Sequence, residues 1–438
     1  MLVLHIGLLL LGLASAEEWI VSLDSEPLEI HIGQVIPVAF NITLPNDAET
    51  SKMEFKVVNS DKNIINVTEP SLKFISHGGT WSSNLNITGI FLGKADISLE
   101  LDYDGETFLS KELRITVIRP ERIVDKLFTI SIAALVFILY INFGCAMDWS
   151  VCRKIAKKPV GPLIGSFCQF IIMPLLAFGI GQALFPDKPE MQIGIFFTGI
   201  SPSGGASNIW TVLLGGNLPL SIGMTTISTL GAFGTIPFWI FTLGKYIFDK
   251  GNLKIPYTNI AILAFSLIVP LSIGYLIQKK VPKLSQLLTR IMKPFSIILI
   301  LFIAIFAIVT NLYLFKLFSW QIIIAGMALP WIGFLCGLVI TTIFQQPRGD
   351  VRALAIETGI QNTGIAIFLL RFSLPQPAAD LTTVIPVSCA IMTPLPLAIL
   401  WCLRILNKRR KTKKAGSSEK LDTETLPATT SNLSTITT

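Results

Sequence analysis

The chain has 438 residues, of which 51% are hydrophobic and 14% are charged, and its formal net charge is +7. This balance excludes a protein folded around one large soluble core and indicates a membrane protein. The basic excess is expected to follow membrane topology, and no nucleic-acid-binding motif accompanies it.

The first residues are typical of a secretory signal peptide. Residues 2–13 form an apolar run too short to span a bilayer, and the small residues Ala14, Ser15 and Ala16 follow it as a cleavage pattern. The stretch contains no Lys or Arg, so an uncleaved anchor is the alternative. We predict a signal peptide over residues 1–16, removed after Ala16.

Residues 17–122 have the composition of a soluble domain. Short segments such as 28–32 and 95–101 alternate apolar and polar residues, and turn signals such as 77–79 separate them. About seven or eight strands at this spacing predict an antiparallel, immunoglobulin-like β-sandwich on the extracellular or lumenal side. The domain contains no cysteine, and roughly 100 residues are enough to fold around a core without disulfides.

Three glycosylation sequons lie inside this domain, at Asn41, Asn66 and Asn86. A sequon is modified only where the chain enters the secretory pathway, so the three sequons and the signal peptide support each other. A fourth sequon, at Asn432, lies in the carboxyl-terminal tail and is expected to stay unmodified if that tail is cytosolic.

Nine apolar segments follow, and most reach the ~20 residues that a membrane-spanning helix requires. They predict an all-α polytopic domain over residues 123–406, preceded by the all-β ectodomain. The segments cover residues 127–147, 160–183, 191–214, 218–243, 258–278, 295–314, 320–344, 353–371 and 381–406.

An odd number of spans puts the two ends of the chain on opposite sides of the membrane, with the amino end extracellular or lumenal. The predicted cytosolic loops and tail contain eighteen Lys and Arg residues, and the outer loops contain six. This bias supports a cytosolic carboxyl end. Residues 407–438 are basic and then rich in Ser and Thr, which predicts a disordered tail. The sequence leaves both the plasma membrane and an internal membrane open.

The sequence argues against catalysis in the membrane domain. The only histidines, His5, His31 and His77, lie outside it, so no embedded His can serve a hydrolase or a zinc site. The six cysteines show no metal or redox spacing, and no phosphate-binding loop occurs. We predict a protein that is not an enzyme, uses no cofactor and draws on an ion gradient for any transport.

Two predicted spans contain polar interruptions. The third carries Pro202 and Gly204 within residues 201–208, and the eighth carries Gly359 beside Glu357. Pro removes a backbone donor and Gly permits unwinding, so both helices are expected to break near mid-membrane. A pair of interrupted helices, one in each half, indicates a transporter binding site. A simple kink or close helix packing is the alternative.

Glu357 is the only acidic residue inside the predicted spans. A carboxylate at that depth costs about 2.5–3.5 kcal/mol on insertion scales, so it persists where a cation, a proton or a side chain partners it. Gln169 adds a neutral oxygen from the second span, and Ser221 and Thr225 share one face of the fourth. Oxygen ligands suit hard cations, and one carboxylate neutralises Na⁺ but not Ca²⁺. This pattern favours sodium, with hydroxyls bonded within their own helices as the alternative.

Three motifs, at residues 169–174, 202–208 and 357–362, resemble in order and spacing the bile acid:sodium symporter family, solute carrier family 10. The resemblance covers about residues 125–406, and the long glycosylatable ectodomain is similar to that of the orphan branch of the family. It implies a panel of helices beside a core bundle, with inverted repeats and two unwound helices that cross. Nine spans match members that lack the first helix of the ten-helix form.

The resemblance also implies two sodium sites at the crossing, with Na⁺ as the co-transported ion. The first would use Ser207, Asn208, Ser221, Thr225 and Glu357. The second would use Gln169, Glu357 and Gln361 with the backbone carbonyls of Thr358 and Ile360. The substrate would lie close to Asn208 and Asn362. No other metal is implied.

Two positions depart from the family pattern. Ser203 stands where a Gly is frequent, and Gly205 stands where many relatives carry a side chain. The implied sodium ligands are intact, so the departures bear on the substrate-facing surface and not on ion binding.

Together these features predict a sodium-coupled symporter of a small organic anion, of the bile-acid or steroid-conjugate class, that works by alternating access. Two alternatives remain open. A receptor or adhesion protein would use the ectodomain and keep the membrane domain as a scaffold, and a proton-coupled transporter would use Glu357 as its proton carrier. Family membership does not fix the substrate.

Overall fold

A computed structural model describes most of the chain. The signal peptide, the sixth predicted span and the tail from residue 408 lie outside the described residues, so the predictions made for them are not tested. The described residues are 20–23, 26–43, 53–68, 76–77, 80–103, 105–120, 122–147, 157, 159–251, 253, 255, 257–291 and 319–407.

The chain divides into two compact units. The first combines Met1–Ser131 with Arg371–Leu381, and the second combines Ile132–Leu370 with Thr382–Thr438. The first unit therefore contains a short segment that is more than two hundred residues away in sequence from the rest of it.

The strands of the first unit form two five-stranded sheets. The strands are β1 (Ile20–Leu23), β2 (Leu28–His31), β3 (Val35–Thr43), β4 (Met53–Asn59), β5 (Ile65–Thr68), β6 (Ser76–His77), β7 (Thr80–Gly89), β8 (Gly93–Tyr103), β9 (Glu106–Leu109) and β10 (Leu113–Ile118). One sheet has the order β1-β3-β7-β5, with β6 also paired to β7. The other has the order β2-β10-β8-β4, with β9 also paired to β8.

Alternation along the strands builds one hydrophobic core between the sheets. Phe40 and Leu85 from the first sheet, and Ile97 and Ile115 from the second, are at most 1% exposed and belong to the same cluster. Phe40 also stacks on Phe55, with ring centroids 5.3 Å apart. The two sheets therefore pack face to face as a sandwich whose described core holds no cysteine, while the immunoglobulin-like topology stays a prediction.

One strand pair differs from the antiparallel pattern. β2 and β10 pair in parallel, with Ile30 opposite Val117, whereas the other pairings of the described strands are antiparallel. β1 and β3 belong to one sheet, whereas β2 belongs to the other. There β2 lies beside β10, the last strand, and the two strands run in the same direction. Local alternation predicts strands but gives no signal for a pairing between segments far apart in the chain.

The three sequon asparagines lie on the outer face of one sheet. Asn41, Asn66 and Asn86 are exposed and lie on the neighbouring strands β3, β5 and β7. Since successive side chains of a strand point to opposite faces, the buried residues that flank them direct all three outward. Asn41 Oδ1 accepts a hydrogen bond of 2.6 Å from Ser82 Oγ, which orients its side chain.

The second unit is helical. The helices of the chain are α1 (Ile123–Ala146), α2 (Val160–Phe167), α3 (Met173–Leu184), α4 (Pro189–Ile200), α5 (Ala206–Leu214), α6 (Leu218–Trp239), α7 (Lys245–Lys250), α8 (Tyr257–Ser266), α9 (Ile268–Lys280), α10 (Trp320–Ile343), α11 (Arg348–Gly359), α12 (Thr363–Ser373), α13 (Ala378–Thr382) and α14 (Val384–Met392). Residues 282–291 and 394–407 are also helical. Two π-helical turns, Cys168–Ile172 and Ile240–Gly244, join α2 to α3 and α6 to α7.

Within the described residues, five helical stretches are long and apolar enough to cross a membrane. They match the first, second, fourth, seventh and ninth predicted spans: Asp125–Ala146, Val160–Leu184, Leu218–Lys250, Trp320–Ile343 and Ala378–Asn407. The third, fifth and eighth predicted spans each consist of two shorter helices. A polytopic helical protein is confirmed, and the total of nine spans stays a prediction.

The last of these stretches contains an acidic residue that the sequence pattern leaves outside the membrane. The ninth span is predicted to begin at residue 381, whereas the helical stretch begins at Ala378 and includes Asp380, which is 0% exposed. Glu357 is therefore not the only buried carboxylate of the helical segments.

We expect one N-linked glycan at each of the three exposed asparagines. Asn41→Gln, Asn66→Gln and Asn86→Gln should each lower the apparent mass by one glycan, and the triple variant should match wild-type protein treated with peptide N-glycosidase. Gel mobility of the protein from mammalian cells measures this. Asn432→Gln is the matched control and should change nothing, because a glycan at Asn432 would place the tail in the lumen and contradict the predicted orientation.

Candidate functional site

The two predicted interruptions are present, and they pair with each other. Residues 201–205 separate α4 from α5, and residues 360–362 separate α11 from α12. The two segments form a short antiparallel bridge in which Ser203 lies opposite Gln361. The structure thus confirms two broken helices whose unwound backbones meet.

Backbone hydrogen bonds hold this crossing together. The Gly204 N–H donates to the Ile360 carbonyl at 2.9 Å, and the Asn362 N–H donates to the Pro202 carbonyl at 2.8 Å. The groups that unwinding frees therefore satisfy each other inside the protein, as buried backbone requires. A Cβ atom at Gly204 would lie 3.0 Å from the Gln361 carbonyl oxygen, so the absence of a side chain permits this close approach.

Glu357 lies in the last turn of α11, directly before the crossing, and is 4% exposed. Ser221 Oγ donates to its Oε2 at 2.9 Å, and Thr225 Oγ1 donates to its Oε1 at 2.5 Å. Both hydroxyls come from one face of α6, since they are one turn apart. No Lys, Arg or His forms an ion pair with Glu357 in the part of the chain that the structure describes.

The Thr225 hydroxyl has two candidate acceptors, a carbonyl of its own helix and the Glu357 carboxylate. Its Oγ1 lies 3.0 Å from the Ser221 carbonyl of its own helix, but only 2.5 Å from the Glu357 carboxylate. A hydroxyl has one proton, and a hydrogen bond to a charged acceptor is the stronger. The carboxylate is therefore its main partner.

α5 brings further oxygens to the same place. Asn208 Nδ2 donates to Thr225 Oγ1 at 3.4 Å, and Thr211 Oγ1 donates to Ser221 Oγ at 3.2 Å. Ser207 Oγ lies close to the carboxylate, and neither it nor Asn208 Oδ1, both buried, makes a hydrogen bond of normal length with the described residues. Buried acceptor oxygens of this kind are atoms that a cation can bind. We call Ser207, Asn208, Ser221, Thr225 and Glu357 the carboxylate cluster.

A π-helical turn places Gln169 at the other side of the crossing. Pro174 has no N–H, so it cannot donate to the Phe170 carbonyl, which accepts instead from the Trp239 indole N–H at 2.8 Å. Widened turns of this type occur frequently at functional sites. Gln169 lies within the turn and is 4% exposed.

Gln169 and Gln361 form a second polar group, which we call the glutamine cluster together with the Thr358 carbonyl. Gln169 Nε2 donates to the Ser201 carbonyl and to Gln361 Oε1, both at 2.9 Å, and Gln361 Nε2 donates to the Thr358 carbonyl at 2.8 Å. The Ile360 carbonyl already accepts a hydrogen bond of 2.9 Å from the Gly204 N–H of the opposite segment. Both backbone ligands that the resemblance implies, the Thr358 and Ile360 carbonyls, are therefore already hydrogen-bonded.

Sequence reasoning counted Ser228 among the hydroxyls of the fourth span but did not assign a role to Ser203 or Thr211. Ser203 Oγ donates to the Glu357 carbonyl at 3.0 Å, and the Ser203 N–H donates to Ser228 Oγ at 3.3 Å. The departure from Gly at position 203 was the available signal for the first. Thr211 is three residues from Asn208, so a shared helix face could have indicated it.

The two residues implied to contact the substrate have different surroundings. Asn208 and Thr225 line a cavity of about 180 Å³ whose other walls are mainly apolar, with Phe143, Ile222 and Leu271 among them. Asn362 does not line this cavity. Its Oδ1 accepts from the Ile365 N–H at 3.2 Å and caps α12, while its Nδ2 is buried without a partner among the described residues.

Similar proteins support a transport role. Residues 133–317 match the model of the sodium bile acid symporter family. The human P3 protein is 31% identical over 257 residues, which are 59% of this chain and 54% of that protein, so this chain spans about half of the P3 protein. Among solved structures, S-layer protein SbsC domains 4 and 5 matches at 12% identity over 23% of this chain and 53% of that one, and its TM-score of 0.17 supports no argument.

Two bile acid cotransporters are covered more fully. The ileal sodium/bile acid cotransporter of Oryctolagus cuniculus is 31% identical over 264 residues, 60% of this chain and 73% of the relative. That of Cricetulus griseus is 30% identical over 308 residues, 70% of this chain and 86% of the relative. The family is one of symporters and not of enzymes, and its co-transported ion is Na⁺. The chain belongs to the sodium bile acid symporter family.

Proposed function

We propose that the protein is a secondary active symporter that couples the movement of Na⁺ to that of a small organic anion. One observation carries this proposal: the buried Glu357 carboxylate receives only hydrogen bonds, and no ion pair, from the described residues. A carboxylate at this depth requires a compensating charge. The all-oxygen surroundings suit a hard monovalent cation.

The carboxylate cluster is the first proposed sodium site. Two of its buried oxygens, Ser207 Oγ and Asn208 Oδ1, make no hydrogen bond of normal length with the described residues and would be available to the ion. The glutamine cluster is the second proposed site, with the Thr358 carbonyl as backbone ligand. Glu357 and the Ile360 carbonyl complete the proposed set, and the Thr358 and Ile360 carbonyls would each share their oxygen between the ion and an existing hydrogen bond.

The proposed substrate is an amphipathic anion of the bile-acid or steroid-conjugate class. Relatives named sodium/bile acid cotransporters support this class. The cavity beside Asn208 and Thr225 combines apolar walls with a polar end, as such a molecule requires. Its volume of about 180 Å³ is below the ~300–1,000 Å³ of usual ligand sites. Binding of a steroid therefore needs the cavity to widen, which alternating access provides.

The charges of the proposed ion and of the proposed substrate would interact with each other. The carboxylate cluster neutralises one Na⁺, whereas the glutamine cluster consists of neutral oxygens. A second Na⁺ there would leave a positive charge near the crossing, which an anionic substrate can offset. Each ligand would then raise the affinity for the other, as positive coupling requires.

The two alternatives make different demands on these residues. A receptor that used only its ectodomain would gain nothing from a buried carboxylate with a set of oxygens around it, since such groups destabilise a membrane protein unless a ligand compensates them. A proton carrier would use the same carboxylate but would need neither the oxygens of α5 nor the glutamine cluster. The experiments on cation replacement separate these cases.

Glu357→Gln is expected to abolish sodium binding without preventing folding. The amide keeps the shape and one oxygen of the side chain but removes the charge that attracts Na⁺. Thermal unfolding of the purified protein in NaCl and in KCl measures this, because a ligand at 100 times its Kd stabilises a protein by about 2.7 kcal/mol. We expect stabilisation by NaCl in the wild type and none in the variant.

The matched control for this experiment is Asp350→Asn. Asp350 lies on the same helix as Glu357 and accepts a hydrogen bond of 2.7 Å from Asn217 Nδ2, which the amide oxygen can still accept. This variant should respond to NaCl as the wild type does. Sodium stabilisation that survives in Glu357→Gln would remove Glu357 from the site.

Thr225→Val is expected to weaken sodium binding about 10- to 100-fold, as the loss of one or two charge-assisted interactions predicts. Valine has nearly the same volume but lacks the hydroxyl that contacts Glu357 and Asn208. The neighbouring Thr226→Val is the control, because Thr226 Oγ1 donates only to Ile222 of its own helix, at 3.0 Å. Equal sodium affinity in the two variants, measured by ²²Na⁺ binding, would contradict the proposed ligand.

Uptake of bile acids and sulfated steroids into cells that express the protein is expected to require Na⁺. Replacement of Na⁺ by choline or Li⁺ should reduce uptake to the level of untransfected cells, because neither ion fits a small all-oxygen site as Na⁺ does. Uptake in choline that is driven by an inward proton gradient would favour the proton-coupled alternative. Uptake that ignores both gradients would contradict secondary active symport.

A further inference from the structure

A second group of buried charges lies within the first unit, and the sodium sites do not use it. The side chain of Asp380, on α13, is 0% exposed, that of Arg371, near the end of α12, is 5% exposed, and that of Arg119, just after β10, is 8% exposed. Buried charges are strongly destabilising unless each of them is paired. An arrangement of this kind therefore depends on all of its members.

The geometry joins these residues into one network. Arg119 Nε lies 2.9 Å from Asp380 Oδ2, and Arg371 Nη2 lies 3.1 Å from Asp380 Oδ1. Arg119 also reaches Asp125, with 2.8 Å between Nη1 and Oδ1. Asp380 therefore lies between two guanidinium groups, and Arg119 bridges two carboxylates. We call Arg119, Asp125, Arg371 and Asp380 the clamp.

The four residues of the clamp come from two distant parts of the chain. Arg119 directly follows the last strand of the sandwich, and Asp125 lies in the first turn of α1. Arg371 lies in the last turn of α12, and Asp380 lies on α13. The clamp thus joins the root of the sandwich to a segment more than 240 residues later. This agrees with the grouping of Arg371–Leu381 with the first unit.

α12 connects the clamp to the crossing. The helix begins at Thr363, one residue after the crossing segment, and Arg371 follows eight residues later. At 1.5 Å per residue, this distance is about 12 Å. Residues 364–370 are all buried, so the helix is packed along its length. A displacement of its clamped end would therefore be transmitted to the other end.

We infer that Arg119 and Asp380 are positioning residues for the crossing, which act by fixing the outer end of α12 to the root of the sandwich. The segment that follows the last strand of the sandwich would then take part in positioning the crossing. The effect on sodium affinity rests on the proposed function, whereas the effect on the geometry of residues 360–365 does not. The two can be measured separately.

Hydrogen–deuterium exchange of the full-length protein tests the geometric part. Arg119→Leu should speed amide exchange about 10-fold or more in two segments, residues 371–381 and residues 360–365. Asp380→Asn should do the same. The double variant should exchange faster than either single variant but by less than the product of the two effects, because the changes share the Arg119–Asp380 contact while each also disturbs a second one, to Asp125 or to Arg371. Arg119→Lys keeps the charge, so its exchange rates should lie between those of the wild type and those of Arg119→Leu. It replaces Arg119→Leu in the experiment if that variant does not fold.

Arg114→Leu is the matched control. Arg114 lies on β10, five residues before Arg119, and pairs with Asp96 at 2.9 Å on the exposed face of its sheet. It should leave exchange in both segments unchanged. If Arg119→Leu speeds exchange only at residues 371–381 and leaves residues 360–365 as in the wild type, the clamp has a local structural role and the inference is wrong.

Measurement of sodium affinity tests the second part of the inference, which is the effect of the clamp on ion binding. ²²Na⁺ binding to the purified full-length Arg119→Leu should show about 10-fold weaker affinity with the same maximal binding per folded protein, and Arg114→Leu should match the wild type. A purely structural role would lower the amount of folded protein and leave the affinity unchanged, which would overturn this part. If the wild type itself binds no Na⁺, the proposed function fails, while the exchange experiment still decides on the clamp.

Discussion

The structure of the membrane domain depends on one constraint, which is the need to stabilise a negative charge in a place with few polar groups. The Glu357 carboxylate accepts hydrogen bonds from Ser221 and Thr225, but dipoles alone do not neutralise a charge. The broken helices are the way in which the chain brings more oxygens to this charge. At these breaks the Pro202 and Ile360 carbonyls bond to the opposite segment, so the oxygens added near the charge come from side chains of α5.

The sequence predicts those parts of this arrangement that depend on neighbouring residues, and not those that depend on contacts between distant residues. Pro202 and Gly204 act on their own backbone, so the breaks are predictable from local residue types. Glu357 is conspicuous in an apolar span for the same reason. The bridge between Ser203 and Gln361, in contrast, joins residues more than 150 positions apart, and only the family resemblance implied that the two segments meet.

Long-range features that no motif accompanies were missed. The parallel pairing of β2 with β10 needs the complete order of the strands, which alternation within one strand does not contain. Asp380 shows the same limit. At the border of a predicted span it has the pattern of an ordinary loop residue, and its burial depends on Arg119 and Arg371, which come from different parts of the chain. A hydropathy pattern contains only neighbouring residues, so it gives no sign that such a charge is paired and buried in the folded protein.

In the proposed sodium sites, ion binding and the crossing would support each other thermodynamically. A bound ion would hold the oxygens of α5, α6 and α11 at fixed distances, and those oxygens are correctly placed only while the crossing is formed. The free energy of ion binding therefore also stabilises the crossing, by the same amount in both directions. Selectivity for Na⁺ then depends on how rigid the oxygens are before the ion arrives. The backbone bonds of Gly204 and Asn362 fix the positions from which the proposed ligands would reach the ion.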